Sequence, residues 1–285
     1  MRKNITITHF VRTAAAALFV AAIGATTSSC TKTETPESEY VTIGGVKWAT
    51  KNLGATTVAG SYATCSGDYY AWGEKYPYYS AISRTSASAA SFTWSQETTI
   101  WGGSTSAKSG YDWLNYKTNG TSSDYEWSPT PYNSSTKILT SGYDAVTAAL
   151  GGSWRMPTKA DFDALYVACG GTSGSKGWIG SPISSAINYS SIQSKGVYWC
   201  TNLDGVAGAL FSDGTKQVFF PAAGRVKGTG LEYGAARGYY WSSSLDTTLE
   251  TAAINLYFTS LDPFYVNPAN NDYRYFGFSV RPVAD

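Results

Sequence analysis

The sequence predicts a β-rich domain carrying two helices, and three observations support that prediction. Composition comes first: 22 Tyr, 10 Trp and 29 Gly stand against 2 Met, a profile that favours strands, turns and aromatic surfaces over long helices. The second is a series of short apolar and aromatic runs, "VYWC", "ALFS", "KQVFFPAAGRV", "GYYWSSS", "AINLYF" and "FGFSVRPV", several of them separated by glycine-rich turns. Third, only two segments combine helical spacing with start and stop signals, "YDAVTAALGG" and "PTKADFDALYVACGG". With 285 residues, 43% hydrophobic and 14% charged, the chain can build one large or two modest folded cores.

Taken in order, the chain opens with an address. Arg2, Lys3 and Arg12 precede the run "TAAAALFVAAIGA", which has signal-peptide length and is too short to cross a bilayer. Residues 1–29 are therefore read as a signal peptide and the mature protein as exported. The run stops at "TTSSC", which resembles the lipobox of bacterial lipoproteins, whose cysteine is acylated after cleavage. Thr27 stands where lipoboxes usually carry Leu. Acylation of Cys30 is the favoured expectation, and cleavage that leaves Cys30 unmodified is the alternative. Residues 30–39 are polar, contain Pro36 and lack an apolar period, so they read as a solvated, lipid-anchored tether.

The domain, residues 40–285, begins with two β-prone runs, Val41 to Ile43 and Val46 to Leu53. Gly44 and Gly45 between them can supply the positive φ of a hairpin turn. From about residue 76 to 140 the sequence turns to Ser, Thr, Gly, Tyr and Trp with little sustained period, a long surface insertion. Trp94, Trp101, Trp113 and Trp127 are expected to fold it down onto the body. In the second helical segment Thr158 can cap free amides while Asp161 reaches back in a capping box. Phe162, Leu165, Tyr166 and Cys169 then form an apolar face before Gly170. At the end of the chain Phe276, Phe278 and Val280 alternate with Gly277, Ser279 and Arg281, the period of a strand with one buried face.

Missing residues narrow the chemistry. The only histidine is His9, inside the signal segment, so nucleophile–histidine relays, imidazole bases and His-ligated metals lose their essential group. No C-x-x-C spacing, calcium-loop spacing or glycine-rich phosphate loop appears. The expectation is no metal, no cofactor and no catalysis. A carboxylate-based glycoside hydrolase is the enzymatic alternative, since that reaction needs only two acids and sugar platforms. A non-catalytic structural module of the envelope is another. A net charge of +1 with no long basic run excludes a nucleic-acid footprint. Of the exported cysteines, Cys169 with Cys200 is a candidate disulfide, with buried free thiols as the equal alternative.

Six ordered stretches, "GGVKWATKNLG", "GDYYAWGE", "DAVTAALGGSWRMPTKADFDAL", "VFFPAAGRV", "GYYWSSS" and "YFGFSVRPV", together resemble the Fibrobacter succinogenes major paralogous (FISUMP) domain over roughly residues 40–285. "SWRMPTKADFDAL" is also similar to a helix start in relatives of the formylglycine-generating enzyme. The resemblance implies an α+β, C-type lectin-like fold: a mixed or antiparallel sheet in which the chain ends meet, two helices, and a surface of strands and loops that holds the binding site. The enzymes of that fold rely on a reactive cysteine pair in their C-terminal part, and here no cysteine follows Cys200. Another branch, the variable proteins of diversity-generating retroelements, places a mutable segment at the C-terminal end.

That branch suggests a use for the polar end of the chain. In "AAINLYFTS", Ile254, Leu256 and Phe258 are expected to face the core, with Asn255, Tyr257 and Thr259 facing out. Together with Asp262, Tyr265, Asn267, Asn270, Asn271, Asp272, Tyr273 and Tyr275 they have paratope chemistry, rigid tyrosines beside adaptable amides. The expected protein is a surface lipoprotein of a Gram-negative outer membrane, in contact with the membrane only through its lipid, that binds a protein or glycan ligand.

Overall fold

The beginning and the end of the domain meet in one sheet. The computed structural model describes residues 39–77, 79–84, 86, 90–94, 130–227, 230–249, 251–261 and 265–285, all within one unit, Thr35–Asp285. The signal segment, Cys30, the tether up to residue 38, Asp262, Trp101, Trp113, Trp127 and the side chain of Trp94 lie outside the described residues.

Strand β1 (Tyr40–Ile43) turns through Gly44 and Gly45, both at positive φ, into β2 (Val46–Ala49). The last strand, β14 (Val283–Ala284), lies beside β2 and also pairs with β5 (Trp154–Arg155). The chain-end contact expected from the resemblance is therefore present. Most of "FGFSVRPV" is not a regular strand, however. Residues 274–284 are buried throughout, Arg281 included, and they join other elements through isolated bridges such as Tyr70 to Phe278 and Val226 to Gly277. The expected strand with one buried face is not found here: both sets of alternating residues are buried.

Among the described residues there are three short α-helices. The first is one turn, α1 (Tyr62–Cys65), which sequence reasoning missed. The second, α2 (Ala145–Leu150), starts at Asp144, whose carboxylate accepts from Val146 N and Thr147 N at 2.8 and 2.9 Å. The third, α3 (Lys159–Ala168), has the expected capping box between Thr158 and Asp161 and buries Phe162, Leu165 and Tyr166. Arg155 joins Asp161 at 2.7 Å and Asp285 at 2.9 Å, holding helix, strand and chain end together.

The remaining strands are antiparallel, so the fold is mainly antiparallel β. The insertion contains a hairpin, β3 (Tyr79–Arg84) and β4 (Ala90–Trp94), where the sequence showed no period. A meander follows: β6 (Gly196–Leu203), β7 (Val206–Ser212) and β8 (Gln217–Pro221). The run "KQVFFPAAGRV" breaks after Pro221, and Gly224 at φ +75 turns the chain into β9 (Arg225–Lys227), paired with β10 (Gly230–Glu232). The last sheet is ordered β11 (Arg237–Leu245), β12 (Ala252–Thr259), β13 (Tyr265–Tyr273).

That last sheet separates two cores. Tyr240, Leu256, Phe258 and Val266 point into the first, with Trp48, Phe162 and Phe220. Tyr239, Trp241, Ala253 and Tyr257 point into the second, with Trp72, Phe276 and Phe278. Period-2 alternation thus assigns neighbouring residues to different cores, and all eight residues of β12 are buried. Sheet burial on both faces explains why the polar positions of "AINLYFT" do not reach solvent freely.

The cysteines correct one expectation. Cys65, Cys169 and Cys200 are free and buried, with Cys169 in the first core and Cys200 in a third apolar cluster with Cys65. The candidate disulfide between Cys169 and Cys200 is absent, and burial pushes all three thiols up to about 12.

Candidate functional site

The second-core face of the last sheet brings most of the sequence-predicted residues together. Cross-strand partners share a face, and the register aligns Arg237 with Thr259 and Tyr265, Tyr239 with Tyr257 and Asn267, and Trp241 with Asn255 and Asn270. Ala253 opposite Asp272 continues the row. The predicted set Asn255, Tyr257, Thr259, Tyr265, Asn267, Asn270 and Asp272 therefore does lie on one side. Asn271 and Tyr273, opposite Ile254 and Ala252, belong to the other.

Their exposure is not what alternation alone suggested. Asn255 is fully buried and Thr259 is 2% exposed, while Tyr257 and Tyr275 are 8% and 9% exposed. Several polar groups are used internally. Asn270 Nδ2 donates to Asn255 Oδ1 at 3.4 Å and to Asp272 Oδ2 at 3.2 Å. Asn267 Oδ1 accepts from Ala269 N at 3.0 Å, across the bulge that carries Pro268 past Leu256. Asn271 is bound through its amide to Asp246, and Thr259 Oγ1 accepts from Leu261 N at 2.9 Å. These side chains hold β13 and its turns in place. Asn255 and Thr259 are supports, not contact residues.

The open end of the face is aromatic and cationic. Tyr257 lies between Tyr239 and Tyr265, with ring centroids 5.0 and 5.4 Å away. Arg225 spans Phe276, Tyr239 and Tyr233 at 4.4, 5.3 and 5.4 Å, pairing with Glu232 at 3.0 Å and Asp272 at 3.6 Å. Arg237 stacks 3.9 Å from the Tyr233 ring centroid and its Nη1 donates to the Tyr239 hydroxyl at 3.2 Å. Tyr233 is 40% exposed and holds φ +59, an uncommon value for a residue with a Cβ. Beyond Phe276 the stack continues through Tyr275 to Tyr273, which is 40% exposed.

Electrostatics follow from this half-buried setting. Burial pushes the Asp272 carboxyl up to about 6, even though Arg225 and the amides of Asn270 and Asn255 favour its charged form. Burial also raises Tyr239, against the pull of Arg237 and Arg225. Glu232 and Asp272 are both taken up by the same arginine, an arrangement that suits structural ion pairing better than an acid and base flanking a bond. Among the described residues no three His, Cys, Asp or Glu side chains gather into a metal site.

Arg225, Tyr233 and Arg237 were not among the sequence-predicted residues. The stretch "EYGAARGYY" carries an aromatic and a cation among small residues, but the positive φ that aims Tyr233 at Arg237 has no sequence signature beyond its neighbouring glycine. Around the edge of β13 a groove of 810 Å³ opens between Asn267, Ala269, Lys176 and the start of α3 at Lys159. Lys176 also lies 5.4 Å from the Tyr265 ring centroid, so groove and tyrosine face are continuous. The Asp163 carboxylate in the groove is held by Ser173 and Gly174 N at 2.5 and 3.0 Å.

No family model, no curated protein and no solved structure matches this chain.

Proposed function

We propose that this chain is an exported, lipid-anchored, ligand-binding protein of C-type lectin-like fold, related to FISUMP domains, whose last sheet recognises a surface ligand without chemistry. The observation that supports it best is the half-open tyrosine–arginine face. Tyr233, Arg237, Tyr257 and Tyr265 form one contiguous patch, rigidly held from below by buried amides and rings. Interface energy concentrates in such residues, where tyrosine and arginine anchors each cost about 2 kcal/mol or more when truncated. Rigid mounting limits the ordering cost of binding.

The test uses the exposed members. Tyr257→Ala would disturb packing against Tyr239 and Tyr265, so it cannot separate binding from folding. Tyr233→Ser combined with Tyr265→Ser should weaken capture of a displayed peptide or glycan ligand about tenfold or more, with a melting temperature within a few degrees of wild type. Unchanged capture would remove the site from this face. Diversification is a further part of the same proposal, because β13 carries its polar residues on a strand with a fixed frame. A near-copy of the coding segment for β12 and β13, differing at adenines and lying beside a reverse transcriptase gene, is the expected genomic arrangement. An uninterrupted neighbourhood without such a copy would contradict it.

A further inference from the structure

Charges on the open face are unevenly compensated. Arg225 has two carboxylates, Glu232 and Asp272. Among the described residues Arg237 has none within ion-pair distance, with Asp272 acting on it only from farther off, and its contacts there are the Tyr239 hydroxyl and the Tyr233 ring. Its Nε is buried without a hydrogen-bond partner, although the residue as a whole is half-exposed. Lys176 lies over the Tyr265 ring, 5.4 Å from its centroid. Among the described residues, two cations, neither of them in a salt bridge, therefore lie beside the Tyr257–Tyr265 pair.

We propose that Arg237 is the receptor for an acidic side chain, Asp or Glu, on a partner protein. This rests on the ligand-binding function proposed above and names the chemistry of the ligand. A guanidinium offers five donors in a planar fork suited to a carboxylate. Here one of the outer nitrogens is held by Tyr239, and the Tyr233 ring fixes the plane, so the fork is oriented before a ligand arrives. Tyr257 and Tyr265 beside it supply flat amphipathic area for the neighbouring residues of the partner. Lys176 adds a second positive charge that would draw an acidic segment along the strand edge. A tyrosine platform with an arginine that has no salt-bridge partner among the described residues matches the composition of protein interface hot spots.

The test is a random peptide library panned in parallel against the complete exported chain, Arg237→Gln, and Tyr233→Ser with Tyr265→Ser. Peptides recovered on the wild type should be enriched in Asp and Glu. Their affinity should fall roughly tenfold or more on Arg237→Gln, recover in part with Arg237→Lys, and weaken with added salt on the wild type much more than on Arg237→Gln. Peptides that require the tyrosines but show no acidic excess would overturn this inference and leave the binding face standing. Peptides indifferent to both variants would overturn both. Arg237-dependent capture of a carboxylated polysaccharide such as polygalacturonate, without acidic peptides, would overturn the protein partner.

Discussion

Asp272 shows how one side chain serves two energetic demands. Its carboxyl is drawn toward Arg225 and held by amides, yet burial costs the charged form more than these partners return, leaving it up at about 6. Asp68 is also pushed up to about 6 by burial. An unfolded Asp titrates near about 3.9, so between roughly pH 4 and pH 6 the folded state holds protons that the unfolded state has released. The stabilising contribution of each group is full below about pH 4 and is lost as pH rises through about 6. Thermal melts should show it. Relative to Asp68→Asn with Asp272→Asn, the wild type should lose stability steadily from about pH 4 to about pH 7, and parallel curves would contradict the burial argument. The three described cysteines give a second residue-scale prediction. With thiols raised to about 12 by burial, they should resist a thiol reagent in native protein and all react after denaturation. A reducing agent should leave the melting temperature unchanged. A disulfide in the mature protein would show as two missing thiols.

At the scale of elements, the opening hairpin was legible because its signals are local. Gly44 and Gly45 sit between two β-prone runs, and both adopt positive φ. Their environments differ: a Cβ on Gly44 would lie 2.6 Å from Ala164 O of α3, whereas one on Gly45 meets nothing within 4 Å. Gly45→Ala should therefore cost about 1 kcal/mol of backbone strain, and Gly44→Ala clearly more because the helix must also move; equal losses in a denaturation series would contradict that packing. The capping box of α3 was legible for the same local reason. Strand β13 was not. Pro, Asn and Asp are poor strand formers, and only an edge position with a bulge at Pro268 and Ala269 lets "YVNPANNDY" pair with β12. The closing segment was half legible: its alternation is real, but period alone cannot show that a second core covers the other side. Arg281 is the clearest instance, buried completely and donating to Ala49 O at 2.9 Å and Phe219 O at 2.7 Å. These bonds tie the chain end to β2 and β8. Arg281→Lys, which keeps charge but loses the fork, should cost about 2–3 kcal/mol, read as a lower midpoint in denaturant.

Across the whole molecule, one sheet with a core on each side explains both the stability of the frame and the placement of the proposed binding face. The first core, the capped helix and the chain-end sheet hold β12 and β13 from behind. The second core fills most of the other face, from Trp241 stacked on Phe278 at 4.1 Å outward to Tyr239. Where that core ends, the aromatic side chains continue to the surface and arginines replace aliphatic residues. Composition alone indicated a tyrosine-rich surface; locating it required the long-range register of β11 with β12 and the contacts of Arg225 and Tyr233 with Tyr239 and Arg237. The central claim is that this open end is the recognition surface. Its most direct measurement is a saturation scan of residues 225–281, reading folded protein and capture of a panned peptide separately. Substitutions that abolish capture but preserve folding should fall at Tyr233, Arg237 and Tyr265, while those at Leu256, Phe258 and Arg281 should reduce both together. Capture-only losses confined to positions away from this patch, with Tyr233 and Arg237 freely replaceable, would contradict the account.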